Sequence, residues 1–154
     1  MRRVRYSVAA SLDGYIADAA GGFDWILKDP TVDFAAIFAR VDTVLIGRRT
    51  FELVQRGGGA PWPAGTRTRI YVFSRTLAPD AHPGVTMVAD RAAETVAGLR
   101  ADPGSGEIWL FGGGRLFGSL LEAGQVDSVE VNVVPVLLGD GVPLVAGGIP
   151  RTRL

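Results

Sequence analysis

The apolar positions of the chain follow two periods. Val44-Leu45-Ile46, Ile70-Tyr71-Val72-Phe73 and Ile108-Trp109-Leu110-Phe111 are continuous apolar runs without polar alternation. That pattern predicts central strands covered on both faces of a sheet. Further β-type runs lie at residues 4–10, 15–17 and 85–88, with a longer one at 126–138. The last is expected to bend near Pro135, which has no N–H to donate to a ladder. Helical spacing separates these runs. Phe34, Ile37, Phe38 and Val41 share one helix face, with Asp29 as N-cap and Pro30 at the first helical position. Residues 48–53 read as the first turns of a short helix, and residues 92–99 as a helix closed by the turn Asp102-Pro103-Gly104. Leu116, Phe117, Leu120 and Leu121 form the apolar stripe of a last helix ending near Gly124. A long Gly- and Pro-rich loop containing Trp62 fills residues 57–68. Strands alternating with helices predict an α/β fold in three layers, with a central, mostly parallel sheet flanked by helices. At 154 residues, the chain has the length of one domain, spanning 1–154.

Composition narrows the chemistry. There is no cysteine and one histidine, His82, so disulfides, thiolate nucleophiles, iron–sulfur clusters and multi-histidine metal sites are excluded. No metal site is expected. Sixteen basic residues balance sixteen acidic ones, which gives no general electrostatic track for nucleic acid. The opening residues do not read as a signal peptide, and no apolar segment approaches the ~20 residues that cross a bilayer. The expectation is a cytoplasmic protein without nucleic-acid or membrane partners.

In an open α/β sheet, ligands bind beyond the carboxyl ends of the strands. Three predicted strands end there in informative residues: Gly47-Arg48-Arg49-Thr50, Ser74-Arg75 and Gly112-Gly113-Gly114-Arg115. The triple glycine lies between a buried strand and the apolar face of the next helix. It is either a tight strand-to-helix turn or a place where bare backbone amides approach a phosphate. Arg48 and Arg75 add planar donors suited to phosphate, and Thr50 and Ser74 add hydroxyls. Asp33 sits at the edge of the first helix's apolar stripe, as a cleft acid or as an acid favourable to the helix dipole. Asp24 and Trp25 are a second cleft pair, with Trp25 alone equally suited to a core.

With these motifs in order, the chain resembles the dihydrofolate-reductase superfamily. The resemblance rests on SVAASLDGYIAD, VLI followed by GRRTFE, YVFSR, and IWLFGGGRLFGSLLEAG followed by VDSVEVNVVPVLLGDG. The set covers nearly the whole chain and is closest to the bacterial branch related to the riboflavin-biosynthesis reductase domain. The resemblance implies NADPH as hydride donor. By motif match, Gly47, Arg48 and Thr50 contact the adenosine-side phosphates, while Ser74 and Arg75 approach the 2′-phosphate. Gly112, Gly113, Gly114, Arg115 and Leu116 wrap the pyrophosphate. Asp13, in the SLDG turn, is implied to orient substrate, with Trp25 and Asp33 beside it. Asp33 is the nearest match to the acid that assists protonation, so Asp13 and Asp33 are the catalytic candidates. Asp140 matches a turn position with a structural role.

The implied reaction is hydride transfer to a small heterocyclic or ribosylamino-pyrimidine-like substrate, needing neither metal nor covalent nucleophile. The rival readings are a non-catalytic nucleotide- or flavin-binding domain and a dihydrofolate reductase. Family members continue past the segment matching Pro143-Leu144-Val145, so the C-terminal strands are expected to be missing here. That would expose a sheet edge and favour a homodimer.

Overall fold

The computed structural model describes residues 1–27, 33–57, 67–80, 82–104 and 106–153. Its elements in chain order are β1 (Val4–Ser11), β2 (Tyr15–Ala17), α1 (Phe34–Arg40), β3 (Val41–Gly47), α2 (Arg48–Arg56), β4 (Arg69–Phe73), β5 (Val85–Val88), α3 (Ala92–Ala101), β6 (Glu107–Gly112), α4 (Gly114–Glu122), β7 (Ser128–Val134) and β8 (Val142–Pro143). Six of the strands form one sheet in the order β5-β4-β3-β6-β1-β7, and each neighbouring pair in it is parallel. β2 and β8 form a separate antiparallel ladder.

Helices cover both faces of the sheet. On one, Tyr6, Leu45, Ile108 and Leu110 pack with Val96 and Leu99 of α3 and with Phe117 and Leu120 of α4. On the other, Val44, Ile46, Val72 and Trp109 pack with Phe38 of α1 and Phe51 of α2. Val44, Leu45 and Ile46 are all fully buried because successive strand residues point into opposite cores. Alternation returns toward the β7 edge. In β7, Val129 and Val131 are half-buried while Glu130 and Asn132 are exposed. On the polar side, Arg5 of β1 reaches across the ladder to Glu130 at 3.0 Å.

Three boundaries differ from the sequence pattern. Asp29 and Pro30 lie outside the described residues, and the described helix starts at Phe34, with Asp33 as its N-cap. Val41, expected at the end of that helix, is instead the first residue of β3, with extended backbone and Glu107 as its ladder partner. β7 stops at Val134, one residue before Pro135, rather than running on to residue 138. Of the long loop, residues 58–66, including Trp62, lie outside the described residues.

The N-terminal end of the sheet, here the lower end, is closed by a polar clasp around Arg2. Its side chain is 4% exposed and ion-paired to Asp42. It also donates to Gly106 O at 3.0 Å, Leu99 O at 3.3 Å and Thr43 Oγ1 at 3.0 Å. Asp42 in turn accepts from the Gly106 amide at 3.0 Å. Burial, with Arg69 nearby, lowers the proton affinity of Arg2. The opposite end of the sheet is built differently.

Candidate functional site

From β3 the chain passes through α2 to β4 on one side, while from β6 it passes through α4 to β7 on the other. β3 and β6 are neighbours. Their helices therefore leave in opposite directions, and a crevice opens beyond the two strand ends. An open cleft of about 2520 Å³ runs through this crevice. Small-molecule sites usually occupy ~300–1,000 Å³, so the cleft has room for an extended ligand with a second molecule beside it.

The floor of the crevice is glycine. Gly47 is the N-cap of α2 and Gly113 the N-cap of α4, and neither helix start has a side-chain cap. A Cβ on Gly47 would lie 3.4 Å from Gly113 N, and one on Gly113 only 3.0 Å from Thr50 Oγ1. Side chains there would fill the space between the two helix starts. Gly112 has φ of 143°, a conformation that favours glycine. Unpaired first-turn amides thus face the same space from two sides.

Charge in the first turns reinforces this. Acids are favoured there because the N-terminus is the positive end of the helix dipole. Yet α2 begins Arg48-Arg49 and α4 begins Gly114-Arg115, with no acid in either first turn. α3 follows the ordinary rule and carries Glu94. The two helices that open on the crevice concentrate positive potential where helix stability alone would dilute it.

Gly47, Arg48, Thr50, Ser74, Arg75 and residues 112–116 all line this one cleft. Arg48 Nη1 donates to Glu52 Oε1 at 3.0 Å and Oε2 at 3.2 Å. Ser74 is buried, and its Oγ accepts from the amides of Thr76 at 3.2 Å and Leu77 at 3.0 Å, shaping its own turn. Its amide donates to Val88 O at 2.9 Å and ties the ends of β4 and β5 together. Among the described residues, Arg49, Arg75 and Arg115 have no ion pair. Leu116 lies beside Gly47.

Asp13, Trp25 and Asp33 do not line the cleft. Asp33 is exposed and spends its Oδ1 on the Ala36 amide at 2.9 Å as the cap of α1. Trp25 donates its Nε1 to Gly22 O at 3.2 Å, within its own turn. Asp13 accepts from Ser11 Oγ at 2.6 Å and from the amides of Leu138 at 3.1 Å and Gly139 at 2.7 Å. The Ser11 hydroxyl, followed by the Gly139 amide, lowers the Asp13 pKa to about 2. This carboxylate latches the loop after β7 to the end of β1. The strap that follows is held by Leu144 N to Gly14 O at 2.9 Å and Ala146 N to Gly114 O at 3.3 Å. It packs so tightly on α4 that a Cβ on Gly118 would lie 2.6 Å from Ala146 O.

Sequence reasoning left out several wall residues. Phe38, Trp109 and Phe111 form an aromatic section of the cleft, with ring centroids 5.5 Å and 5.0 Å apart. The apolar runs of Trp109 and Phe111 and the helical spacing of Phe38 marked them as core only, since neither period says where a covering element stops. Arg91 also lines the cleft, in a left-handed conformation with φ of 51°, 3.6 Å from Glu94. Nothing in the sequence signals that backbone state. Glu52 lies in the GRRTFE segment, but its partner emerges only with the fold.

Among the described residues, no helix is long and apolar enough to cross a membrane, and no cluster of three or more His, Asp or Glu could hold a metal ion. The family model described as RibD C-terminal domain matches residues 2–154. The uncharacterised protein YyaP of Bacillus subtilis (strain 168) is 33% identical over 154 residues, covering 93% of this chain and 80% of that protein. A structure from Shewanella sp. PV-4, provisionally named a riboflavin biosynthesis protein, is 31% identical with a TM-score of 0.80, covering 97% of this chain and 86% of that one. The dihydrofolate reductase of Enterococcus faecalis, solved with NADP(H), shares the fold at 21% identity and a TM-score of 0.68, covering 96% of this chain and 78% of that one.

Proposed function

The chain belongs to the RibD C-terminal domain family and shares the fold of dihydrofolate reductase, and on that premise we propose that it is an NADPH-dependent reductase of a small heterocyclic or ribosylamino-pyrimidine-like substrate. The observation that carries this reading is the pair of glycine-capped helix starts at the sheet's switch point, rich in arginine and free of first-turn acids. Such an arrangement binds a pyrophosphate. The Enterococcus enzyme, of the same fold, was solved with NADP(H).

Gly47, Thr50 and residues 112–116 would hold the pyrophosphate by backbone amides and the Thr50 hydroxyl, with Arg48 and Arg115 supplying charge. Arg75 would meet the 2′-phosphate, while Ser74 sets the turn that presents it. When bound, NADPH supplies the hydride. The protein's own work is to fix distance and orientation and to line the aromatic section with Phe38, Trp109 and Phe111. Asp33 and Asp13 are engaged in capping and latching. A proton therefore reaches the product from water entering the open cleft, or from Asp24, which lies on its wall.

Titration with NADPH and NADH tests the cofactor. The wild type should bind NADPH more tightly, and Arg75→Ala should remove about tenfold of that preference while leaving NADH unchanged. Equal losses for both cofactors would refute the 2′-phosphate assignment. Saturable NADPH binding without oxidation of the cofactor, across pterin, pyrimidine and quinone acceptors, would instead identify a binding domain.

A further inference from the structure

Glu52 lies one helical turn from two arginines of α2, Arg48 before it and Arg56 after it. Helix physics favours the second. An acid pairs better with a base four residues toward the C-terminus, and Arg56 is already stabilised by the negative end of the dipole. The structure takes the other choice. Both carboxylate oxygens of Glu52 lie within 3.2 Å of Arg48 Nη1, whereas Arg56 has no ion pair among the described residues. Arg48 stands at the positive end of the helix, where a cation is least welcome. Helix stability alone would favour the other pairing. Arg48 and Glu52 both line the cleft, and each is only about one-third exposed, at 39% and 30%.

We propose that Glu52 is the resident counter-anion of Arg48 and sets the threshold for ligands entering the cleft. The inference rests on the nucleotide-binding reading above. A guanidinium has five N–H donors, and the carboxylate engages those on Nη1, so an incoming phosphate must draw Arg48 away from Glu52 or share it. A lone inorganic anion, with one set of contacts, competes poorly against a carboxylate tethered one turn away. A ligand that also engages the amides of both helix starts overcomes it. Glu52 is thus a specificity-determining residue, raising the advantage of polyvalent phosphates over single ones.

Calorimetric titration of the full chain with NADPH and, separately, with inorganic phosphate tests this in the wild type, Glu52→Gln, Arg48→Ala and the double variant. Glutamine keeps the shape and one acceptor of glutamate but removes its charge. Glu52→Gln should tighten both probes by about two- to fivefold, with the larger gain for inorganic phosphate. The double variant should show no gain over Arg48→Ala. Unchanged or weaker phosphate binding by Glu52→Gln, or a gain that persists without Arg48, would overturn the proposal. Absence of NADPH binding in the wild type would instead overturn the nucleotide reading, and the phosphate titration would still decide the role of Glu52.

Discussion

At the lower end of the sheet Arg2, Arg69 and Arg100 are each matched to an aspartate, with Arg2 on Asp42, Arg69 on Asp102 at 3.0 Å and Arg100 on Asp127 at 2.7 Å. At the upper end Arg49, Arg75 and Arg115 have no ion pair among the described residues, Arg91 has only a contact at 3.6 Å, and Arg48 is paired to Glu52 at 3.0 Å. The same residue type thus serves two ends of one sheet in opposite ways. Below, guanidinium groups close the fold and their charge is neutralised as it forms. Above, they keep donors open in a cleft large enough for a dinucleotide, at the cost of mutual repulsion and unfavourable helix dipoles. The paired arginines of the lower end and the unpaired ones lining the cleft thus differ in what is left to meet a ligand, with Arg48, paired to Glu52, as the exception.

The largest expected effect breaks the lower end. Arg2→Met removes the ion pair of Asp42, leaves two carbonyls without their donor and should destabilise the chain by about 2–4 kcal/mol in urea unfolding. NADPH affinity of the folded protein should not change. Next, Gly118→Ala forces a Cβ to 2.6 Å from Ala146 O and should cost about 1–3 kcal/mol, displacing the strap that walls the upper cleft.

Arg115→Ala sharpens the contrast, because it should lower NADPH affinity about tenfold while stability moves by no more than about 0.5 kcal/mol. Equal damage to folding and binding would show that the upper arginines are structural after all. Gly98→Ala is the counterpart of Gly118→Ala. Nothing lies within 4 Å of the new Cβ on α3, so thermal unfolding should reveal a gain of about 0.5–1 kcal/mol. The smallest effect concerns Asp13. Its pKa is depressed to about 2 in the folded chain, so its stabilising contribution is present above the unfolded carboxylate range and is lost as pH falls through that value. Hydrogen exchange at the amides of Leu138 and Gly139, corrected for the intrinsic rate, should accelerate over that window before the β3–β6 core opens. Asp13→Ala should show the faster exchange already at neutral pH.

Much of this was legible along the chain because the signal is local. Val44-Leu45-Ile46 and Ile108-Trp109-Leu110 read as central strands since each neighbour faces a different core. The glycine turn at 112–114, together with Arg48, Thr50 and Arg75, follows strand ends, and α/β topology gathers strand ends at one edge. The partners of Asp13 were not legible, whereas a helix-start role was one of the two readings offered for Asp33. Asp13 and Asp33 stand in suggestive motifs, but a carboxylate's role depends on which donors surround it. The Leu138 amide that Asp13 meets is 125 residues away. The β2–β8 ladder was missed for the same reason, since its pairing of Tyr15 with Pro143 leaves no local period.

The order of apolar runs and glycines by itself determined the layered α/β architecture and the edge where the cleft opens, because burial periodicity and backbone freedom belong to short segments. Only the tertiary structure decided which charges are spent and which stay available. It sent Glu52 to Arg48 rather than Arg56, turned Asp33 into a cap and Asp13 into a latch, and left Arg115 without an ion pair among the described residues. Pairing energies depend on distance and burial, which for Asp13 are set by a loop 125 residues away and for Glu52 and Asp33 by which group of their own helix each side chain reaches.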